Sequence, residues 1–350
     1  MTGQCAAGDD ARAAPAVSLV QRVFCALADG AVHSGEQLAA AQGVTRSAVW
    51  KAVGALEELG VIIEAAPHRG YALAAPVTPL DAARISAKLS PAVRARLREA
   101  RVAWSLASTN SALLSPEGAA TARELPAGRF DFLAAEYQSA GRGRRARQWF
   151  APPGGALCLS LAWSFATLPH GAAALSLAVG VCALRALATI APLPVRLKWP
   201  NDLYALERKL GGILIELRAE SAGPAYVVIG IGINCALGAA VMRRVRATGA
   251  DPIDLAALGV VACDRNALAA ALLDETVRGV LEFERHGLAP FAADWAAADA
   301  LKGRMVTVTQ PGGEFVGRAR GIDADGALCV HGNDAMRSFH SGEVSVRAQP

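Results

Sequence analysis

No stretch of this 350-residue chain reaches the ~18 consecutive apolar residues that a membrane span requires. Its start, Met1-Thr2-Gly3-Gln4-Cys5, lacks the basic flank and apolar stretch of a secretory signal. CxxC spacing is absent. The seven cysteines (Cys5, Cys25, Cys158, Cys182, Cys235, Cys263 and Cys329) are scattered and odd in number. That argues against a disulfide framework and a zinc site, and for a reducing cytoplasm. Charge of one sign is also scarce. A net charge of +4 is too small to imply nucleic-acid binding by itself. There is no internal repeat, and no low-complexity tract beyond residues 1–16.

What is present is a chain with 53% hydrophobic and 19% charged residues, enough for a sizeable core. Much of the apolar content is alanine, which favours helix more than it fills volume. At ~100–200 residues per domain the length predicts two or three domains.

Residues 1–16 read as a disordered tail. Residues 17–79 read as helix, helix, helix and hairpin. Val17–Ala28 carries Val20, Val23, Phe24 and Leu27 on one face. Ser34 with Gln37 makes a capping box, and Gly43 stops that helix. Thr45 caps a third helix that ends at Gly60. Val61-Ile62-Ile63, the turn Pro67–Gly70 and Tyr71–Leu73 then predict a hairpin. Short helices joined by a Gly-containing turn, then a hairpin, form a winged helix-turn-helix pattern. Residues 76–100 suit a linker. Residues 101–300, within a domain expected at 80–300, alternate strands and helices, with strands expected at Phe130–Tyr137, Ala156–Phe165, Val195–Trp199, Ile213–Leu217 and Ala225–Asn234. Helices are expected at Ala172–Ile190, Arg265–His286 and Phe291–Leu301. Residues 301–350 switch to short alternating runs between turns, which predicts a small antiparallel barrel of about five strands. The fold class is therefore α+β multidomain.

Four segments carry candidate chemistry. In Gln138-Ser139-Ala140-Gly141-Arg142-Gly143-Arg144-Arg145-Ala146-Arg147, glycines between arginines expose backbone amides beside guanidinium groups, a combination that suits phosphate oxygens. On charge alone it equally suits nucleic acid. In Lys198-Trp199-Pro200-Asn201-Asp202, the last two residues sit at a strand tip. Asp202 there holds Mg²⁺, orients an amine, or simply forms an Asn-Asp turn. Lys209, within Arg208–Gly212, precedes a buried strand with two glycines that allow close approach of a ligand; read alone it is a solvated lysine. Ser108-Thr109-Asn110 either caps the helix Ser111–Leu114 or hydrogen-bonds a neutral polar ring.

These segments, together with Gly230-Ile231-Gly232-Ile233-Asn234, stand in the order and approximate spacing of biotin–protein ligases. The flanking winged helix and small barrel resemble the bifunctional form, the biotin operon repressor. The resemblance covers roughly residues 17–348. It implies a central α/β ligase domain with a class II synthetase-like mixed sheet and a C-terminal SH3-like barrel. It also implies ATP-dependent formation of biotinyl-5'-AMP and transfer of biotin to a lysine of a biotin carboxyl carrier protein, with Mg²⁺ accompanying ATP.

Site roles follow from the same resemblance. Ser108, Thr109 and Asn110 line the ureido end of biotin, and Gln138 contacts the ligand from the loop's start. Arg142, Gly143 and Arg144 belong to the biotin- and adenylate-binding loop. Arg145, Asn201 and Asn234 are expected at the nucleotide, Lys209 at the biotin carboxylate and then the phosphate, and Gly230 and Gly232 on the floor. Catalysis falls to Lys209, Arg142 and Asp202. Two positions depart from the family's usual pattern: Ala107, where aspartate is common, and Ala146, where the loop often has a further glycine. The stretch Cys235–Cys263 is not strongly matched. A lipoate ligase shares the domain type, but a dithiolane needs no ureido-binding amide such as Asn110.

Operator DNA and a homodimer formed on adenylate binding are the remaining expected partners. For DNA the candidates are Arg46, Ser47, Trp50 and Lys51 on the third helix and Arg69 at the wing. Residues 17–75 hold four basic residues (Arg22, Arg46, Lys51, Arg69) against five acidic ones (Asp29, Glu36, Glu57, Glu58, Glu64). Because DNA affinity rests on phosphate neutralisation, the competing reading is a ligase whose winged helix does not bind DNA.

Overall fold

Three hydroxyl side chains start the first three helices. Ser18 accepts from the Gln21 amide and opens α1 (Leu19–Leu27). Ser34 and Gln37 form the expected reciprocal capping box of α2 (Gly35–Gln42). Thr45 accepts from the Ala48 amide and opens α3 (Arg46–Glu58). The computed structural model describes residues 17–66, 69–118, 124–219, 224–310, 313–332, 335–340 and 345–348. The expected tail at 1–16 and Pro67-His68 of the expected turn lie outside them.

The hairpin pairs β1 (Ile63–Ala66) with β2 (Gly70–Leu73), antiparallel. It starts later than Val61 because the Val61 amide closes the end of α3 on the Leu56 carbonyl at 3.0 Å. Val23, Phe24, Leu27, Leu38, Val49, Val53 and Leu56 bury a separate small core beneath it.

Residues 76–100 are more than a linker. Leu80, Ile85, Leu89 and Val93 are buried in the main core, the last three on or beside α4 (Ala82–Lys88) and α5 (Pro91–Arg94). β3 (Leu97–Leu106) then forms one edge of the central sheet. Its half-buried mixture of Arg, Glu and apolar residues reads in sequence as polar connection, because an edge strand has only one partner.

That sheet runs in the order β3, β4 (Phe130–Arg142), β6 (Ala156–Phe165), β10 (Ala225–Asn234), β9 (Arg208–Ala219), β8 (Asp202–Ala205), β7 (Val195–Lys198), with β5 (Gln148–Ala151) paired to β4. Only β3 and β4 run parallel among its described pairs. β4 and β9 are longer than the expected strands, so Arg142 and Lys209 lie within strands rather than in loops. Phe132, Leu159, Leu161, Trp163, Ile229 and Ile231 meet α7 (Leu175–Ala188), α9 (Arg265–His286) and α10 (Ala292–Ala298) in the main core. The short α6 (Thr109–Leu113) packs with Leu133, Ala162 and Val228 in a second cluster.

The C-terminal residues form an antiparallel sheet ordered β14 (Ala335–Phe339), β13 (Leu328–Gly332), β12 (Gly313–Ile322), β11 (Met305–Gln310), β15 (Ser345–Ala348). The five strands match the expected number, and β15 returns to pair with β11.

Candidate active site

Every ligase residue singled out in the sequence lines one cavity of about 700 Å³. Its floor is β10 and β9. Glycine is required there by close approach rather than by turn geometry. A Cβ on Gly230 would lie 2.3 Å from Asn110 Oδ1, and one on Gly232 would lie 2.7 Å from the Trp149 indole. The alternating glycines of β10 therefore make room for two side chains that wall the cavity.

At one end Ser108 caps α6, accepting from the Ser111 amide. The next two residues are buried in a polar network. Thr109 donates its amide and hydroxyl to Gln138 Oε1 at 2.8 and 3.1 Å. Ser160 sits close enough to hydrogen-bond both Thr109 Oγ1 (2.7 Å) and Asn110 Oδ1 (2.6 Å). The Asn110 amide donates to Leu214 O at 3.1 Å and Glu216 Oε2 at 2.9 Å. Buried groups satisfied in this way hold fixed orientations.

At the other end Lys209 Nζ donates to Asp202 Oδ1 at 2.6 Å and lies 6.0 Å from the centroid of the Trp149 ring. Lys198 Nζ donates to the Tyr204 hydroxyl at 3.0 Å. Burial lowers the Lys198 pKa and raises that of Tyr204 to about 12. Burial also lowers the pKa of Arg144, partly offset by the charge of Asp202.

Three of the residues expected at the ligands hold partners within the chain. Arg142 does not face the Lys209 end: it donates to Ser111 Oγ at 2.8 Å and pairs with Glu216, beside Asn110. Its place at the end of β4 sets it beside α6, and Arg144 is the loop arginine within the field of Asp202. The Asn201 amide donates to Ile213 O at 2.6 Å, bracing a turn. The Asn234 amide donates to Lys209 O and Ile253 O at 3.2 and 2.9 Å, bracing the backbone under Lys209. Both asparagines line the cavity, but these donors serve the framework.

The loop itself is tight. Gly143 N donates to Arg147 O at 2.7 Å, and Arg145 and Ala146 both have φ of +56°. Ala146, where the family's loop often has a further glycine, thus occupies the left-handed region that glycine adopts without steric cost.

Ser160, Trp149, Tyr204 and Glu216 were not singled out in the sequence. A serine and a glutamate inside apolar strands were the available signals for two of them. The cavity also takes in Val245 near the end of α8 (Ala239–Arg246), Thr248 to Pro252 just beyond it, and Arg304 and Arg347 from beside and within the C-terminal sheet. Tertiary approach alone brings these in.

Three family models match the chain: the Biotin/lipoate A/B protein ligase family over residues 122–234, the Biotin protein ligase C terminal domain over 302–347, and an HTH domain over 26–72. The chain is 40% identical to the Bifunctional ligase/repressor BirA of Salmonella typhimurium over 325 residues, covering 92% of this chain and 95% of that one. It is 39% identical to the protein of the same name from Escherichia coli, covering 93% and 97%. The chain belongs to the bifunctional biotin ligase and repressor family. In fold it is similar to a biotin protein ligase from Aquifex aeolicus, solved in complex with biotin and ATP. The TM-score is 0.58 at 24% identity, over 73% of this chain and 99% of that one.

On the winged helix, the family's second working part, Arg46, Ser47, Trp50 and Lys51 are all exposed on α3, Trp50 by 65%. Arg69 is exposed at the wing. Arg46 lies 3.5 Å from Glu36, a solvent-exposed pair that holds it only weakly. None of the five lines the cavity. Among the described residues, no helix is long and apolar enough to cross a membrane.

Proposed function

We propose that this chain activates biotin with ATP as biotinyl-5'-AMP, transfers it to a lysine of a biotin carboxyl carrier protein, and represses transcription through its winged helix. The observation that carries the reading is the polarity of the cavity. A hydrogen-bonding end at Thr109 and Asn110, backed by Ser160 and with Arg142 paired to Glu216 beside it, faces a cationic end at Lys209, Arg144 and Lys198 across a glycine floor.

A carboxylate is a poor electrophile. Its oxygen attacks the α-phosphorus of ATP, pyrophosphate leaves, and a mixed anhydride remains. Negative charge builds on the α-phosphate in that step, and Lys209 and Arg144 stabilise it from fixed positions. Asp202 holds the Lys209 ammonium in place. The carrier lysine amine then attacks the acyl carbon and AMP departs with the bonding electrons. The Gly143–Arg147 segment keeps water from the anhydride.

Mg²⁺ fits this site only as a companion of the nucleotide. Among the described residues, no group of three His, Cys, Asp or Glu side chains gathers to hold a metal. Asp202 is the carboxylate beside the cationic end, and phosphate oxygens supply the other ligands Mg²⁺ favours. Bound there, the ion would supply charge neutralisation at the phosphates.

We assign domain boundaries at 79/80 and 300/301, and a homodimer formed on adenylate binding. The deciding experiment is ATP-dependent transfer of labelled biotin to a carrier domain, run against lipoate. Biotin transfer is expected; transfer of lipoate alone overturns the assignment. DNA retardation of the chain's own upstream region with biotin and ATP, at low salt, tests the repressor role. Its absence supports a ligase whose winged helix does not bind DNA, the reading favoured by the acidic balance of residues 17–75.

A further inference from the structure

A buried ion pair outside the cavity holds the connection between the winged helix and the ligase sheet. Glu136, on β4, lies 2.6 Å from Arg265, at the start of α9, and the two side chains are 4% and 2% exposed. The carboxylate also accepts from two backbone amides, Gly154 at 2.9 Å and Leu80 at 3.0 Å. The guanidinium also donates to Ala156 O at 3.2 Å and Thr78 O at 3.1 Å. Beside it, Asn266 donates to Pro79 O at 3.0 Å and accepts from the Asp81 amide at 2.9 Å. Residues 78–81 therefore hang on two side chains of α9 and one of β4.

Burying two charges carries a desolvation cost that their attraction must offset, and an apolar pair of similar volume is often as stable. Stability alone is a poor reason for this pair. What it touches suggests another. Gly154 follows β5, whose Trp149 lies against the cavity floor at Gly232. Glu136 precedes Gln138 by two residues, and Gln138 holds Thr109. On the far side, Val77 N donates to Ala28 O at 2.8 Å, just beyond α1. Gly154 backs onto Val77 and Phe24, and Phe24 meets Trp104 of β3 with ring centroids 5.2 Å apart. One ion pair thus joins the strand before the arginine loop, the turn after it, and the linker to α1.

We propose that Glu136 and Arg265 are positioning residues that seat the winged helix on the ligase sheet and link that seat to the strand and turn flanking the arginine loop. Neither lines the cavity. The inference rests on the proposed DNA-binding role only for its second half.

The test is the paired variant Glu136→Leu/Arg265→Met in the full chain, which removes both charges and leaves neither unpartnered. Its adenylate formation and thermal unfolding midpoint report that the ligase domain has folded. Small-angle X-ray scattering, with and without biotin and ATP, reads the seating; retardation of the chain's own upstream DNA under the same two conditions reads the coupling. We expect wild-type adenylate formation, a larger radius of gyration, and stimulation of DNA binding by biotin and ATP reduced about tenfold. A folded variant with the wild-type scattering profile and wild-type stimulation overturns the proposal. If the wild-type chain binds no DNA at all, the repressor reading fails, and scattering alone decides the seating: a compact variant overturns it, an expanded one supports it.

Discussion

Lys209 on β9 and Asp202 at the start of β8 meet at 2.6 Å on the wall of the cavity, with Gly212 directly beside them. The hairpin between their strands fixes the ammonium against that carboxylate. Lys209→Ala is expected to lower adenylate formation about 100-fold, the usual cost of removing a preorganised transition-state donor. Pyrophosphate release in the presence of biotin and ATP measures it. A wild-type rate removes Lys209 from the mechanism. Arg144→Ala is expected to act in the same step, whereas Arg142→Ala, beside Asn110, weakens biotin binding.

Glycine-to-alanine changes on β10 probe the two walls separately. In Gly230→Ala the new methyl meets Asn110, and in Gly232→Ala it meets Trp149. The first is expected to weaken biotin binding by about tenfold or more, because it displaces a satisfied buried amide. The second is expected to shorten the lifetime of the bound adenylate. Calorimetry with biotin alone separates them; equal affinity in wild type and Gly230→Ala contradicts the ring-end assignment.

Ala146 has φ of +56°. Relieving that conformation in Ala146→Gly is expected to stabilise the chain by up to ~1 kcal/mol. Ala146→Val is expected to do the opposite, since a β-branched side chain tolerates this region least. Denaturant unfolding midpoints at fixed slope read both changes. A lower midpoint for the glycine variant refutes the strain.

Burial holds the Tyr204 phenol at about 12, above its ordinary 10. Between those pH values the folded chain keeps a proton that the unfolded chain has released. Tyr204 therefore contributes stability that is intact below pH 10 and is lost as pH rises towards 12. Lys198 acts in the opposite sense: burial disfavours its ammonium, so stability rises as pH climbs towards its ordinary 10.5. Tyr204→Phe is expected to flatten the alkaline fall in unfolding temperature, and phenolate absorbance near pH 12 is expected to diminish. An unchanged alkaline limb contradicts this.

Lys51 is exposed on α3 and has no ordered partner competing with phosphate among the described ion pairs. Lys51→Ala is expected to weaken DNA binding evenly across sequences and to reduce the salt slope by about 1. Loss confined to one base position would assign Lys51 to base reading instead.

Much of this architecture was legible in local sequence. The capping box at Ser34 and Gln37, the strand Ala225–Asn234 and the helix Arg265–His286 depend on near neighbours and on periodicity, and all three stand where those signals place them. β3 was hidden, because a half-buried edge strand alternates too weakly to distinguish it from polar connection. Glu216 was unremarkable in a run of leucine and isoleucine until β9 lay beside α6. Glu136 and Arg265 were also silent, being far apart in the chain and each common on a surface.

The sequence by itself determined which chemical groups are available: the arginine loop, the Lys209 strand, the polar triplet Ser108–Asn110 and the glycine-spaced floor. Only the tertiary structure decided their neighbours. Arg142 pairs with Glu216 beside Asn110, Arg144 lies in the field of Asp202, and the Asn201 and Asn234 amides brace backbone carbonyls. The physical reason is that motif spacing specifies order along the chain. Charge partnership and burial act through space, and strand register sets them.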